Sequence, residues 1–121
     1  MTTSNLDRQH ITDVLLTYCV AIDSFDFQRL ADLLVPGVVV RYQGHEPMVG
    51  VDDVVAFVAS YCERIAWQQH VPTPMSVEVD GDTARATSYV TVHSVRRDDP
   101  DHVTVTVGDY SDTLVRTADG W

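Results

Sequence analysis

Ile11, Val14, Leu15, Tyr18 and Ile22 recur at i, i+3, i+4, i+7 and i+11, the stripe of one helical face. Leu16, Cys19 and Val20 widen it, so this helix is expected to be largely covered. Ser4 or Asn5 can cap its start, and Asp7 suits the positive end of the helix dipole. Asp23-Ser24-Phe25-Asp26 breaks the pattern. Asp26 is placed to cap a short second helix holding Phe27, Leu30, Ala31 and Leu34, which Pro36-Gly37 ends. Val38-Val39-Val40-Arg41-Tyr42 is β-branched and reads as a strand, with a turn at Gly44-His45-Glu46-Pro47. After Gly50, the residues Val54, Val55, Phe57, Val58, Tyr61, Cys62 and Ile65 give a third helix its apolar face, with Asp52 as the expected cap.

Beyond Trp67 the period changes to two. Met75, Val77 and Val79 alternate with Ser76, Glu78 and Asp80, and Asp80-Gly81-Asp82 signals a tight hairpin. Long strands are expected over Ala84–Val95 and Val103–Val115, joined by a turn at Arg97–Asp101, with Gly108 as a bulge or bend. Three helices cannot cover both faces of such a sheet. The economical fold is α+β: a curved antiparallel sheet wrapped around the three N-terminal helices, open at one end. A pocket then lies between the concave face and the helices.

The chain has 121 residues and is 45% hydrophobic, which suits one domain with a real core. Its net charge is −10, and its eight basic residues are all arginines, scattered except for Arg96-Arg97. That pattern argues against nucleic acid and anionic membranes. The N-terminal residues do not read as a signal peptide, and no apolar run approaches membrane-spanning length. A cytoplasmic location is expected. Cys19 and Cys62 form no C-x-x-C and read as buried free thiols. No metal and no cofactor are expected: nucleotide-binding glycine motifs and a G-x-S-x-G elbow are absent, and the Asp–His pair lacks a third ligand.

Tyr18, Asp23 and His70 are the candidates for chemistry. Asp23 ends the first helix and His70 opens the strand after the third. If the fold joins them, the carboxylate fixes the imidazole tautomer and stabilises its protonated form, which makes the histidine a general base. The structural alternatives are a helix cap for Asp23, a surface strand position for His70 and core packing for Tyr18.

The element order and its residues together resemble the SnoaL-like branch of the nuclear-transport-factor-2-like superfamily, a cone-shaped α+β barrel. The carrying features are Tyr18-x4-Asp23-x2-Asp26, Arg29-Leu30, Gly50 before the third helix, and His70. They continue with Val79-Asp80-Gly81-Asp82-x-Ala84 and Tyr110-x-Asp112…Arg116…Asp119-Gly120-Trp121. The resemblance covers nearly the whole chain, 1–121, and implies that a last C-terminal strand segment is lacking.

Within the superfamily the chain is similar to scytalone dehydratase, lindane dehydrochlorinase and bile-acid dehydratase. These pair an aspartate ending the first helix with a histidine after the third, the places of Asp23 and His70, and Tyr18 matches a site tyrosine of the bile-acid enzyme. Steroid delta-isomerase shares that tyrosine. It carries its catalytic aspartate on the first strand, where this chain has Arg41-Tyr42.

The resemblance implies a cofactor-independent lyase or isomerase, dehydratase- or polyketide-cyclase-like, acting on a hydrophobic ring-containing carbonyl compound. Tyr42, Phe57, Trp67, Tyr89, His93, Tyr110 and Asp112 are the expected lining residues. The outer face of the sheet is expected to pair the chain into a homodimer or homotrimer. A non-catalytic binding module is the alternative, since fold does not fix function. A third reading, epoxide hydrolysis, needs an Asp–Arg–Asp set deep in the cavity, for which Arg41, Arg85 and Arg116 are available.

Overall fold

The computed structural model describes residues 5–121. Helix α1 spans Asn5–Asp23, α2 Phe27–Asp32 and α3 Val51–Cys62. Short strands β1 (Val39–Val40) and β2 (Met48–Val49) form a two-residue ribbon before α3. The long strands β3 (Ile65–Asp80), β4 (Thr83–Arg96) and β5 (Asp99–Val115) form an antiparallel sheet in the order β3-β4-β5. This is the expected order of three helices followed by a curved sheet. No helix among the described residues is long and apolar enough to cross a membrane.

The buried line of α1 is Ile11, Leu15, Cys19 and Ile22. Leu16 and Val20 are exposed, so this helix is covered on one face rather than most of the way round. The Ser4 capping reading lies outside the described residues. The helix ends in a Schellman-type turn. The Asp26 N–H bonds the Ala21 carbonyl at 2.9 Å and the Phe25 N–H that of Ile22 at 3.1 Å. Phe25 takes the left-handed position usual for glycine, with φ 56°. This stop leaves Asp23 in the last turn of α1. Asp26 caps α2, its carboxylate accepting from the Arg29 N–H at 3.1 Å. The N-cap of α3 is Gly50, at φ 92° and without a side-chain cap bond, rather than Asp52. Asp52 sits inside the first turn, where its charge suits the dipole.

Register decides which strand residues face the helices. On β4 the buried positions are Ala84, Ala86, Ser88, Val90 and Ser94. Opposite them on β3 stand Val79, Val77, Pro74, Pro72 and Gln68, with His70 opposite Val92. A bulge between Pro74 and Ser76 breaks the simple alternation and leaves Met75 exposed. Opposite them on β5 stand Leu114, Asp112, Tyr110, Gly108 and Thr104. Gly108 keeps regular register with Val90 and makes no bulge. The turn before β5 is confined to Arg97-Asp98, tighter than the sequence suggests.

Two apolar clusters hold the layers together. Ile11 and Leu15 pack with Val77, Ala84 and Ala86, supported by Val79, Leu114 and Trp121. Ala21, Ile22 and Leu30 pack with Val58 and Cys62. Helix α1 spans both, with Tyr18 between them and Asp23 just beyond Ile22.

Candidate active site

Asp23 and His70 meet. The His70 ring Nδ1 lies 2.6 Å from Asp23 Oδ1, and the His70 backbone N–H donates to Asp23 Oδ2 at 2.8 Å. One carboxylate therefore grips one residue twice. An ionised carboxylate only accepts, so Nδ1 carries the ring proton and Nε2 holds the lone pair. Nε2 has no hydrogen-bond partner among the described residues. Both side chains keep some exposure, 11% for His70 and 19% for Asp23. Asp23 does not cap α2; Asp26 does.

Gln68 was missed in the sequence. It is buried, and its Nε2 donates to the Ile22 carbonyl at 3.2 Å and meets Cys62 Sγ at 3.4 Å. The Ile22 carbonyl belongs to the last turn of α1, where carbonyls lack helical partners. Gln68 thus pins the end of α1 to β3 beside the dyad. Its signal was legible: it stands two residues before His70, on the same strand face. Cys19, one helical turn before Asp23, was likewise readable as a site neighbour. Burial, with Asp23 and Asp112 nearby, pushes its thiol up to about 12, so it stays protonated and unreactive.

Tyr18 is joined by Tyr42, hydroxyl to hydroxyl at 2.6 Å. Tyr110 meets Tyr18 edge-on at 6.1 Å between centroids, and Phe57 stacks on Tyr42 at 5.6 Å. His45, from the turn after β1, rests edge-on against Phe57 at 5.1 Å while remaining exposed. Burial raises the hydroxyls of Tyr18, Tyr42 and Tyr110 above their ordinary values. All three stay protonated donors through the physiological range. In a pair of hydroxyls one proton is shared and the other is free for a third oxygen. Asp112 shares the inner face with Tyr110, two residues along β5.

Trp67, Tyr89 and His93 are not brought to this cluster. They stand on the outer face, out of phase with the buried β4 positions and with His70. Trp67 and Tyr89 are exposed there. His93 stands opposite Gln69 and Val105, with a buried Nδ1 that has no hydrogen-bond partner. The error was one of parity: a strand shifted by one residue exchanges its two faces.

The epoxide-hydrolase constellation is also misplaced. Arg116 does bond two aspartates, Asp7 at 2.8 Å and Asp82 at 3.1 Å, but at the outer edge of the β3–β4 hairpin. Arg41 and Arg85 are exposed. Among the described residues no group of three or more His, Cys, Asp or Glu side chains could hold a metal ion. Two surface hollows, of about 520 and 360 Å³, lie at the β3–β4 hairpin and between α2 and α3, away from the dyad.

No curated protein matches the chain significantly in sequence. Solved structures do match. A proposed aromatic ring hydroxylase from Novosphingobium aromaticivorans is 26% identical with a TM-score of 0.91, covering 99% of this chain and 85% of that one. A proposed scytalone dehydratase from the same organism is 19% identical at TM-score 0.88, covering 96% and 78%. A proposed dehydratase of the nuclear-transport-factor-2-like family from Streptomyces avermitilis is 24% identical at TM-score 0.83, covering 98% and 92%. At such identities the last two establish the shared fold. The family model described as the SnoaL-like domain matches residues 3–121, and with that coverage the chain belongs to the SnoaL-like domain family.

Proposed function

We propose that this protein is a cofactor-independent lyase or isomerase, of dehydratase or polyketide-cyclase type, whose general base is the Asp23–His70 dyad. The observation that carries this reading is the double grip of Asp23 on His70, which leaves Nε2 as the free basic atom. Neutral His70 takes a proton from a carbon next to a carbonyl, and the C–H electron pair moves into the enolate. Asp23 stabilises the imidazolium that forms. The free proton of the Tyr18–Tyr42 pair hydrogen-bonds the oxygen as it gains charge. In a dehydration the imidazolium returns its proton to a β-hydroxyl, which leaves as water. In an aldol closure the enolate carbon attacks a second carbonyl instead. General-base catalysis of this kind supplies about 10²–10⁴-fold, and positioning supplies much of the rest. The substrate is a hydrophobic, ring-containing carbonyl compound, and the two buried free thiols support a reducing, cytoplasmic setting.

Proton exchange tests the base without requiring full turnover. β-Hydroxy ketones and polycyclic enones in deuterated water should lose their acidic C–H signal with wild-type protein and keep it with His70→Ala. Equal exchange by both proteins would leave His70 without a catalytic role, and the chain as a binding module.

The outer sheet face supports a companion proposal, that two or three copies of the chain associate through it. Val71, Met75, Tyr89, Val103, Val105 and Val107 are 48–76% exposed there. The chain carries −10 overall, whereas these six side chains carry no charge and Asp109 stands among them opposite Tyr89, so a second copy would cover a largely apolar face. A monomer alone in sedimentation at micromolar concentration would count against it.

A further inference from the structure

The Ile22 carbonyl is a joint between the end of α1 and the sheet. It accepts twice, from the Phe25 N–H at 3.1 Å and from Gln68 Nε2 at 3.2 Å. The first bond closes the turn that stops α1, and the second reaches across from β3. A carbonyl oxygen only accepts, so the NH2 end of the Gln68 amide faces Ile22. Gln68 is 4% exposed, and the same nitrogen meets Sγ of Cys62, the last residue of α3, at 3.4 Å. The next residue along α1 is Asp23. The next inward position along β3 is His70, bound to Asp23 at 2.6 and 2.8 Å. Consecutive residues of α1 are thus tied to alternate residues of β3, about 7 Å apart on the strand. Cys19 and Cys62 lie near Asp23, and burial raises both thiols, so neither carries charge. Among the described residues the only ion pair of Asp23 is with His70. Where its carboxylate stands is set by the backbone that carries it.

We propose that Gln68 is a positioning residue for the dyad: by holding the Ile22–Asp23 peptide against β3, its amide sets the Asp23 carboxylate where it receives both N–H groups of His70. A drift of about 1 Å at the end of α1 would lengthen the 2.6 Å ring contact beyond hydrogen-bonding distance. The Nδ1 proton then loses its acceptor, and the ring is free to take the Nε2–H tautomer, in which Nε2 has no lone pair for a substrate proton. Gln68 acts through Asp23 and touches no reacting atom. An amide in so dry a place costs more than an apolar side chain of equal length unless it is bonded, which marks the bond, rather than the bulk, as its contribution. The proposal rests on the dyad reading only for its effect on rate. The effect on the His70 tautomer stands without it.

The tautomer is read by nitrogen NMR of the histidine rings, at a pH where they are neutral, with the His70 signals assigned by their loss in His70→Ala. Wild type should show a protonated Nδ1 and a bare Nε2. Gln68→Met, of equal length but without a donor, should move His70 toward the Nε2–H form. It should also slow proton exchange of β-hydroxy ketones by about 10–10²-fold. Cys62→Ala is the packing control. It removes the other contact of the amide and should lower the melting temperature, but keep the wild-type tautomer and exchange rate. In wild type itself, a scalar coupling across the hydrogen bond should join Gln68 Nε2 to the Ile22 carbonyl carbon, which tests the tie even if Gln68→Met folds poorly. Three results would overturn the proposal: no such coupling, an unchanged His70 tautomer in Gln68→Met, or an equal change in Cys62→Ala. Equal exchange by wild type and His70→Ala would instead defeat the catalytic reading of the dyad, and the tautomer would still decide the role of Gln68.

Discussion

Asp7 and Asp112 are carboxyls at two places along the same helix–sheet interface, and their surroundings are opposite. Asp7, near the start of α1, receives both Nη groups of Arg116, at 2.8 and 3.2 Å, and the Trp121 ring N–H at 3.1 Å. Arg116 also lies 4.5 Å over the Trp121 ring. The result is a clasp that ties the first turn of α1 to the chain beyond β5. Among the described residues Asp112 receives no such donors. A carboxylate that serves architecture comes with its donors built in. One buried without them is harder to ionise, as Asp112 is. Asp23 stands between these cases: its donors come from one histidine, and in the proposed function satisfying it prepares a base. Stability and chemistry should therefore respond separately in the two regions.

The largest effect belongs to the dyad. His70→Ala should lower turnover or proton exchange by about 10²–10⁴-fold, with a melting temperature close to wild type. Arg116→Ala, in the clasp, should do the reverse: a lower melting temperature and an unchanged rate. A rate loss in Arg116→Ala would erase the distinction between the regions.

Asp23→Asn comes next, at about 10²-fold in rate with the fold intact. Asparagine still bonds the imidazole but cannot stabilise its charged form, and it can hold the wrong tautomer. Asp26→Ala is the control. It removes the α2 cap and should cost about 1 kcal/mol in a denaturant midpoint, leaving the rate alone.

The smallest effects are in pH dependence, and they have opposite signs. Asp112 is harder to ionise folded than unfolded. Below its unfolded pKa it is neutral in both states and costs nothing. As pH rises through the folded value, stability falls. Asp112→Asn should therefore stabilise the protein at neutral pH by about 1 kcal/mol, and the gain should vanish in acid. Asp7 is held below its ordinary value of 3.8, first by the Arg116 hydrogen bond and then by that of Trp121. Its contribution is complete above the unfolded pKa and is lost as pH falls through the folded one. Thermal melts of wild type, Asp112→Asn and Asp7→Asn across the acid range read both signs.

Much of this could be read from the chain. The helix stripe through Ile11, Leu15 and Ile22, the Asp26 cap and the Asp80-Gly81-Asp82 hairpin are local signals, set by neighbours a few residues away. The pairing of Asp23 with His70 came from family likeness, because nothing local links residues 47 apart. The misplacement of Trp67, Tyr89 and His93 has one cause. β-Branched and aromatic residues suit either side of β3 and β4, so the sequence marks a strand more clearly than it marks the face. The small residues Ala84, Ala86 and Ser88 were the overlooked clue, since α1 packs where the side chains leave room.

By itself the sequence determined the three helices, the long strands, their order and the α+β class, though not β2 or the start of β3 at Ile65, because hydrophobic period, turn residues and caps act over one or two turns of chain. It also determined that Asp23 ends a helix and that His70 and Asp112 lie in strands. Tertiary structure alone decided that β4 turns its even-numbered positions inward. It decided too that Gln68 pins the end of α1, that Arg116 serves a clasp and that Asp112 finds no partner among the described residues. Those outcomes depend on register and on helix placement, which are settled by packing between residues far apart in the chain, and a one-residue shift would have reversed each face.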